Sequence, residues 1–136
     1  MLAIDARRRD GAPASGYDVM IRGGRDSTPR EAVAWAREGV AVGAGEILLT
    51  SVDRDGTGDG YDLELLAAVA SSVNVPVIAS GGARSVDDLE AAFAAGAEAA
   101  LAATIFHDDE LSVLDVKREL ERRGVPVRVP SQEDIR

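Results

Sequence analysis

Residues 47–62, Ile-Leu-Leu-Thr-Ser-Val-Asp-Arg-Asp-Gly-Thr-Gly-Asp-Gly-Tyr-Asp, pass abruptly from an apolar run into hydroxyls, carboxylates and glycines. A helix-like pattern follows. This order places polar groups at the carboxyl end of a strand, where parallel α/β sheets build their sites. The residue types suit the holding of a phosphate beside acid–base groups. The segment reads as part of an enzyme site.

Four strand–helix units account for the elements that position it. Residues 1–5 form the first short apolar strand, and a long connection follows in which residues 17–21 predict a small hairpin arm. Residues 28–31, Thr-Pro-Arg-Glu, match a capping box with proline at the first helical position. The helix they open carries Ala32, Val33, Trp35 and Ala36 and weakens around Gly39 and Gly43. The second strand is read at residues 46–50 and its helix at 63–72, capped by Asp62. The third strand spans 75–79, and Ser80, Gly81 and Gly82 make a phosphate-friendly end to it. Ser85 caps the next helix, which runs to Ala95 with Gly96 as its C-terminal glycine. The fourth strand is placed at 99–103, and the last helix at 112–123, closed by Gly124. From Val125 onward the chain reads as an extended tail, and 131–136 as disordered.

Short, nearly all-apolar strands alternating with helices imply a parallel sheet buried on both faces. Four units leave two bare sheet edges and, if the sheet curves, an uncovered concave face. Eight would close a (β/α)8 barrel of about twice this length. The expected fold is therefore α/β: a (β/α)4 half-barrel over residues 1–125 with outer helices, completed by pairing, and a tail over 126–136.

Composition narrows the function classes. The chain of 136 residues has room for one domain with a core of its own. It has no cysteine, so disulfides and cysteine-ligated metals are excluded. The net charge of −9 disfavours nonspecific nucleic-acid binding and anionic membranes. With no long apolar run and no secretory pattern, a cytoplasmic protein is expected.

Residues 3–7 (Ala-Ile-Asp-Ala-Arg), 43–56, 60–62 (Gly-Tyr-Asp), 78–83 (Ile-Ala-Ser-Gly-Gly-Ala) and 100–107 stand in an order that closely resembles the cyclase subunit family of imidazole glycerol phosphate synthase, from histidine biosynthesis. The phosphoribosyl-formimino isomerase of the same pathway resembles the chain less well around Asp53–Gly56 and His107. The resemblance covers the carboxyl-terminal half of that (β/α)8 enzyme, whose strands five to eight match the four strands here. It implies that Asp5 is a catalytic general acid; on the residues alone, Asp5 could equally cap the loop after its strand. It further implies that Thr50 and Ser51 line the substrate cleft, and that Asp55, Gly56, Gly81, Gly82, Ala103 and Thr104 hold a phosphate. Taken alone, Gly81-Gly82 is as well explained by a tight turn.

The implied reaction adds ammonia, delivered by a glutamine amidotransferase, to a bis-phosphorylated phosphoribulosyl-formimino aminoimidazole carboxamide ribotide. Imidazole glycerol phosphate and the aminoimidazole carboxamide ribotide are the products. Addition, elimination and ring closure under acid–base control call for no cofactor or metal. The family's amino-terminal half, with a partner aspartate, a lysine and a first phosphate site, has no counterpart here. One chain is therefore expected to be inactive or weakly active alone. Two copies around a two-fold axis would set Asp5 facing Asp5 and duplicate the phosphate site; a separate amino-terminal half is the other way to complete the barrel. The alternative is a non-catalytic phosphate-binding half-barrel that self-assembles.

Three further features could suggest other chemistry. Asp53, Asp55, Thr57, Gly58 and Glu64 fall at calcium-ligating positions of an EF-hand loop, but an apolar strand precedes them where a helix is required. His107 is the only histidine, which excludes a multi-histidine metal site within one chain; packing at the start of the last loop is its expected role. Trp35, on a helix face with Val33 and alanines, is expected to pack against the core.

Overall fold

The computed structural model describes residues 1–11, 16–106 and 111–131. Six strands and four α-helices follow one another as β1 (Leu2–Arg8), β2 (Tyr17–Ile21), β3 (Asp26–Glu31), α1 (Ala32–Ala41), β4 (Ile47–Ser51), α2 (Leu63–Ala70), β5 (Val77–Ser80), α3 (Val86–Ala94), β6 (Ala99–Leu101) and α4 (Val113–Arg122). A 3-10 turn, Thr104–Phe106, lies between β6 and α4. His107 lies outside the described residues, as does the stretch 132–136 of the expected disordered tail.

The strands form one sheet in the order β3-β2-β1-β4-β5-β6. β1, β4, β5 and β6 run parallel in sequential order. Right-handed crossovers between sequential parallel neighbours put every helix on one face. α1 accordingly contacts α2, α2 contacts α3, and α3 contacts α4. The core lies between this helix layer and the inward positions of the strands. Ile4, Ala6, Ile47, Leu49, Val77 and Ala79 come from the sheet, and Leu65, Leu66, Val69, Leu89, Val116 and Leu120 from the helices. The fold is α/β with four successive parallel strand–helix units, consistent with part of a barrel.

The opposite face carries the alternate strand positions. Ala3, Leu48, Ile78 and Ala99 stand in register across it, and one row on, Asp5, Thr50, Ser80 and Leu101 do the same. Leu48 and Ile78 are half-buried, while Leu101 is 50% exposed. No helix of the described residues covers these apolar groups.

Two expectations are corrected. The hairpin arm expected at residues 17–21 is present as β2 and β3, but it joins the sheet rather than leaving the first strand a bare edge: β2 pairs antiparallel with β1, and β3 with β2. The β1 edge is thereby covered, and the outer edge becomes β3, Asp-Ser-Thr-Pro-Arg-Glu, whose polar residues and Pro29 blunt it against further pairing.

The second correction concerns the start of α1. Thr28 and Pro29 belong to β3, and the helix begins at Ala32 with Glu31 as its N-cap. The Thr28 hydroxyl donates across the hairpin to the Val19 carbonyl at 2.7 Å. It accepts from the Arg30 N–H at 3.3 Å, two residues before the helix begins, so it does not cap α1. The Glu31 carboxylate does so instead, accepting from the N–H groups of Val33 and Ala34. α1 also continues through Gly39, which is buried against Leu2. Trp35 is partly buried against the core, with the Arg30 guanidinium 4.2 Å from its ring centroid.

The caps read at Asp62 and Ser85 are present, and Ser112 adds a third. Asp62, Ser85 and Ser112 cap α2, α3 and α4, the last two through capping boxes closed by Asp88 and Asp115. After α4, Val125 donates its N–H to the Leu120 carbonyl, and Val125 and Val127 pack against the core although no regular element follows among the described residues.

Candidate active site

Strand alternation decides which polar side chains meet. Asp5, on β1, is directly opposite Thr50 on β4, which is opposite Ser80 on β5. All three occupy the face away from the helices. Thr50 and Ser80 lie at the carboxyl ends of their strands, and Asp5 stands level with them near the end of the parallel pairing of β1 with β4, while β1 itself runs on to Arg8. None of them makes a side-chain hydrogen bond or ion pair with the described residues. A carboxyl and two hydroxyls left unengaged side by side at the end of a parallel sheet are available to a ligand.

Ser51 is one residue further along β4, so it points to the other face. It is 3% exposed beneath α2, its Oγ has no partner, and Leu49, Tyr61, Asp62, Leu65 and Leu66 surround it. The structure thus brings Thr50, not the Ser51 side chain, to Asp5. Ser80 takes the third place in the row. Period-two alternation combined with parallel register was the signal that would have selected it.

The loops beyond the row are built from backbone contacts. After β4 the chain turns on the Ser51 carbonyl, which accepts from Arg54 and Asp55 N–H at 3.3 and 3.0 Å. Gly60 N–H then donates to the Gly82 carbonyl at 2.9 Å, tying this loop to the one after β5. The Tyr61 hydroxyl reaches the Leu101 carbonyl at 2.8 Å, tying it to β6. Gly81 and Gly82 hold φ of +94° and +103°. A Cβ on Gly82 would stand 2.3 Å from the Gly60 carbonyl oxygen, so the glycine is required by the close approach of the two loops.

These contacts enclose a cavity of about 60 Å³ lined by Asp55, Gly56, Ser80, Gly81, Gly82, Leu101, Ala103 and Thr104, among others. All six residues expected to hold phosphate line this one space. The Gly82 carbonyl is occupied by Gly60, so the turn can offer an anion only its N–H groups. Thr104 adds a hydroxyl. Asp55 brings a negative charge to the rim while its own N–H is spent on Ser51, so its contribution is to hold the loop in shape.

Asp53 and Glu64, the ends of the calcium-like pattern, are turned to arginines. Asp53 accepts from the Arg8 N–H at 2.8 Å, and Glu64 from the Arg8 guanidinium at 2.5 Å. Among the described residues no group of three metal-ligating side chains converges.

The profile of the histidine biosynthesis protein family matches residues 1–112, a span that takes in Asp5, Thr50 and every residue of the cavity. The chain belongs to this family. It is 54% identical over 129 residues to the imidazole glycerol phosphate synthase subunit HisF of Pyrobaculum aerophilum, covering 95% of this chain and 49% of the relative. The HisF subunit of a Synechococcus species is 53% identical over 133 residues, again with 94% of this chain and 49% of the relative covered. The chain spans about half the length of the curated relatives it matches.

The family member's site rests on a polar strut that composition did not single out. The Tyr17 ring is fully buried; its hydroxyl donates to Asp62 at 3.1 Å and accepts from Arg8 at 2.5 Å. Asp62 also caps α2 through Leu65 N–H at 3.0 Å. The strut joins the hairpin, the end of β1 and the helix after the 52–61 loop. Burial first, then the Asp62 carboxylate, pushes the Tyr17 phenol up to about 12. Since the fold favours the neutral phenol, this stability is complete below about pH 10 and is lost as pH rises towards 12. In urea titrations at about pH 9 and pH 11.5, wild type is expected to lose up to about 2 kcal/mol more stability than Tyr17→Phe. Equal losses in the two proteins would show that Tyr17 does not carry the alkaline sensitivity.

Proposed function

We propose that this chain supplies the carboxyl-terminal part of an imidazole glycerol phosphate synthase cyclase site. Asp5 delivers a proton as general acid, Thr50 orients the substrate, and the cavity between Gly56 and Thr104 holds one phosphate. The substrate is the bis-phosphorylated phosphoribulosyl-formimino aminoimidazole carboxamide ribotide. Ammonia condenses with its carbonyl carbon with loss of one water, and elimination and ring closure give imidazole glycerol phosphate and the aminoimidazole carboxamide ribotide. A glutamine amidotransferase supplies the ammonia, and the cytoplasm is the compartment.

The observation that carries this reading is the row of unengaged Asp5, Thr50 and Ser80 leading directly into the glycine-lined cavity. A phosphate seated there would place the rest of its molecule over the row. The uncovered face with Leu48, Ile78 and Leu101 supports completion by a second half, either another copy of this chain or an amino-terminal half-barrel.

The test is turnover of the bis-phosphorylated substrate with ammonium as nitrogen donor, measured for the chain alone and mixed with an amino-terminal half, alongside light scattering. Product in either case, from an assembly larger than the monomer, supports the proposal. Phosphate binding with no product in both would leave the non-catalytic half-barrel as the function. A well-folded monomer would end the claim of self-assembly.

A further inference from the structure

Three consecutive residues fasten the loops at the mouth of the sheet. Gly60 N–H holds the Gly82 carbonyl, and the Tyr61 hydroxyl holds the Leu101 carbonyl. Asp62 accepts from the Tyr17 hydroxyl while it caps α2. The middle tie passes β5 to arrive at β6, the last strand of the sheet.

The two walls of the glycine cavity are not equally secured. The Gly81–Gly82 turn is tied by Gly60 and packs closely on the Ser51 carbonyl and Arg54. The opposite wall, from Leu101 to Thr104, continues an edge strand of three residues. Burial of Ile105 anchors the far side of the 3-10 turn. On the near side, the Tyr61 hydroxyl supplies the one side-chain hydrogen bond to residues 99–106 among the described residues. Burial, and to a lesser degree the Asp88 carboxylate, raises the Tyr61 phenol far above its ordinary range, so the donor proton stays in place.

We propose that Tyr61 is a positioning residue for the phosphate: its hold on the Leu101 carbonyl sets the separation of the Gly81–Gly82 N–H groups from the Thr104 hydroxyl. Leu101 is half exposed, so water can replace the phenol at its carbonyl and the fold survives without that bond. The Thr104 wall then relaxes relative to the glycines, and one phosphate no longer meets both walls at full strength. Asp5, three strands from β6, is left in place. This role rests on reading the glycine cavity as a phosphate site.

Residue-resolved NMR with inorganic phosphate tests this in the chain itself. Wild type should show saturable shifts at the amides of Gly81, Gly82 and Thr104. Tyr61→Phe keeps the ring, removes only the hydroxyl and should weaken that binding about tenfold, the worth of one hydrogen bond. Val69→Ala, in the core under α2, loses stability without touching β6. Its phosphate dissociation constant should stay within about twofold of wild type, because only folded molecules are read. By reciprocity, saturating phosphate should slow exchange of the wild-type Tyr61 hydroxyl proton about tenfold, a measurement that needs no variant. In an assembly that turns over the bis-phosphorylated substrate, Tyr61→Phe should raise KM about tenfold and leave kcat within about twofold. Phosphate affinity unmoved by Tyr61→Phe, an equal loss in Val69→Ala, hydroxyl exchange indifferent to phosphate, or a fall in kcat alone would each overturn the role of Tyr61. Wild type without saturable shifts would instead overturn the phosphate reading of the cavity, and this role with it.

Discussion

Asp5→Asn is expected to lower ammonia-dependent turnover by about 10²–10⁴-fold, the usual worth of a positioned general acid. Several features of the site make this a clean experiment. The Asp5 side chain has no hydrogen bond or ion pair with the described residues, so no structural partner is orphaned by the change. Asparagine keeps the shape but has no proton to give at ordinary pH. Folding stability and phosphate affinity should therefore match wild type, with the loss confined to kcat. If Asp5 merely capped its strand, stability would fall and turnover by the remaining protein would persist. A kcat within about threefold of wild type would remove Asp5 from the mechanism.

The contrast between Asp5 and Ser51 shows what the sequence could disclose. Helix caps at Asp62 and Ser85 were legible because their partners lie within three residues. Thr28 presented the same local pattern, yet its hydroxyl is engaged by Val19 across a hairpin, a contact that no local pattern reveals. β3 was hidden for a related reason: Asp-Ser-Thr-Pro-Arg-Glu has no apolar alternation and is a strand only because β2 offers it hydrogen bonds.

The cavity residues came from motif resemblance, and the structure brings all six together. The face on which each strand-end side chain lies required register. Thr50 and Ser51 look equivalent as neighbours, but alternation sends one to Asp5 and buries the other under α2.

Gly82→Ala should be the most damaging single substitution in the loops, costing about 2–4 kcal/mol. Two terms add. The backbone sits at φ +103°, where a Cβ is strained, and the new methyl would lie 2.3 Å from the Gly60 carbonyl oxygen and 2.9 Å from Arg54 Cβ. Relief requires the β4–α2 and β5–α3 loops to separate, which breaks the Gly60–Gly82 hydrogen bond and opens the cavity.

Two other glycines calibrate the terms. At Gly81 a Cβ would meet the Ser51 carbonyl oxygen at 2.9 Å, a milder clash. At Gly56 it would meet nothing within 4 Å, leaving only the strain of φ +75°. Urea midpoints should therefore fall in the order Gly56→Ala least, Gly81→Ala next and Gly82→Ala most, with Gly56→Ala costing about 1 kcal/mol. Phosphate affinity should be lost most completely in Gly82→Ala. Equal costs at all three positions would mean that backbone conformation alone sets the requirement. In that case the packing of one loop on the other would not be what shapes the cavity.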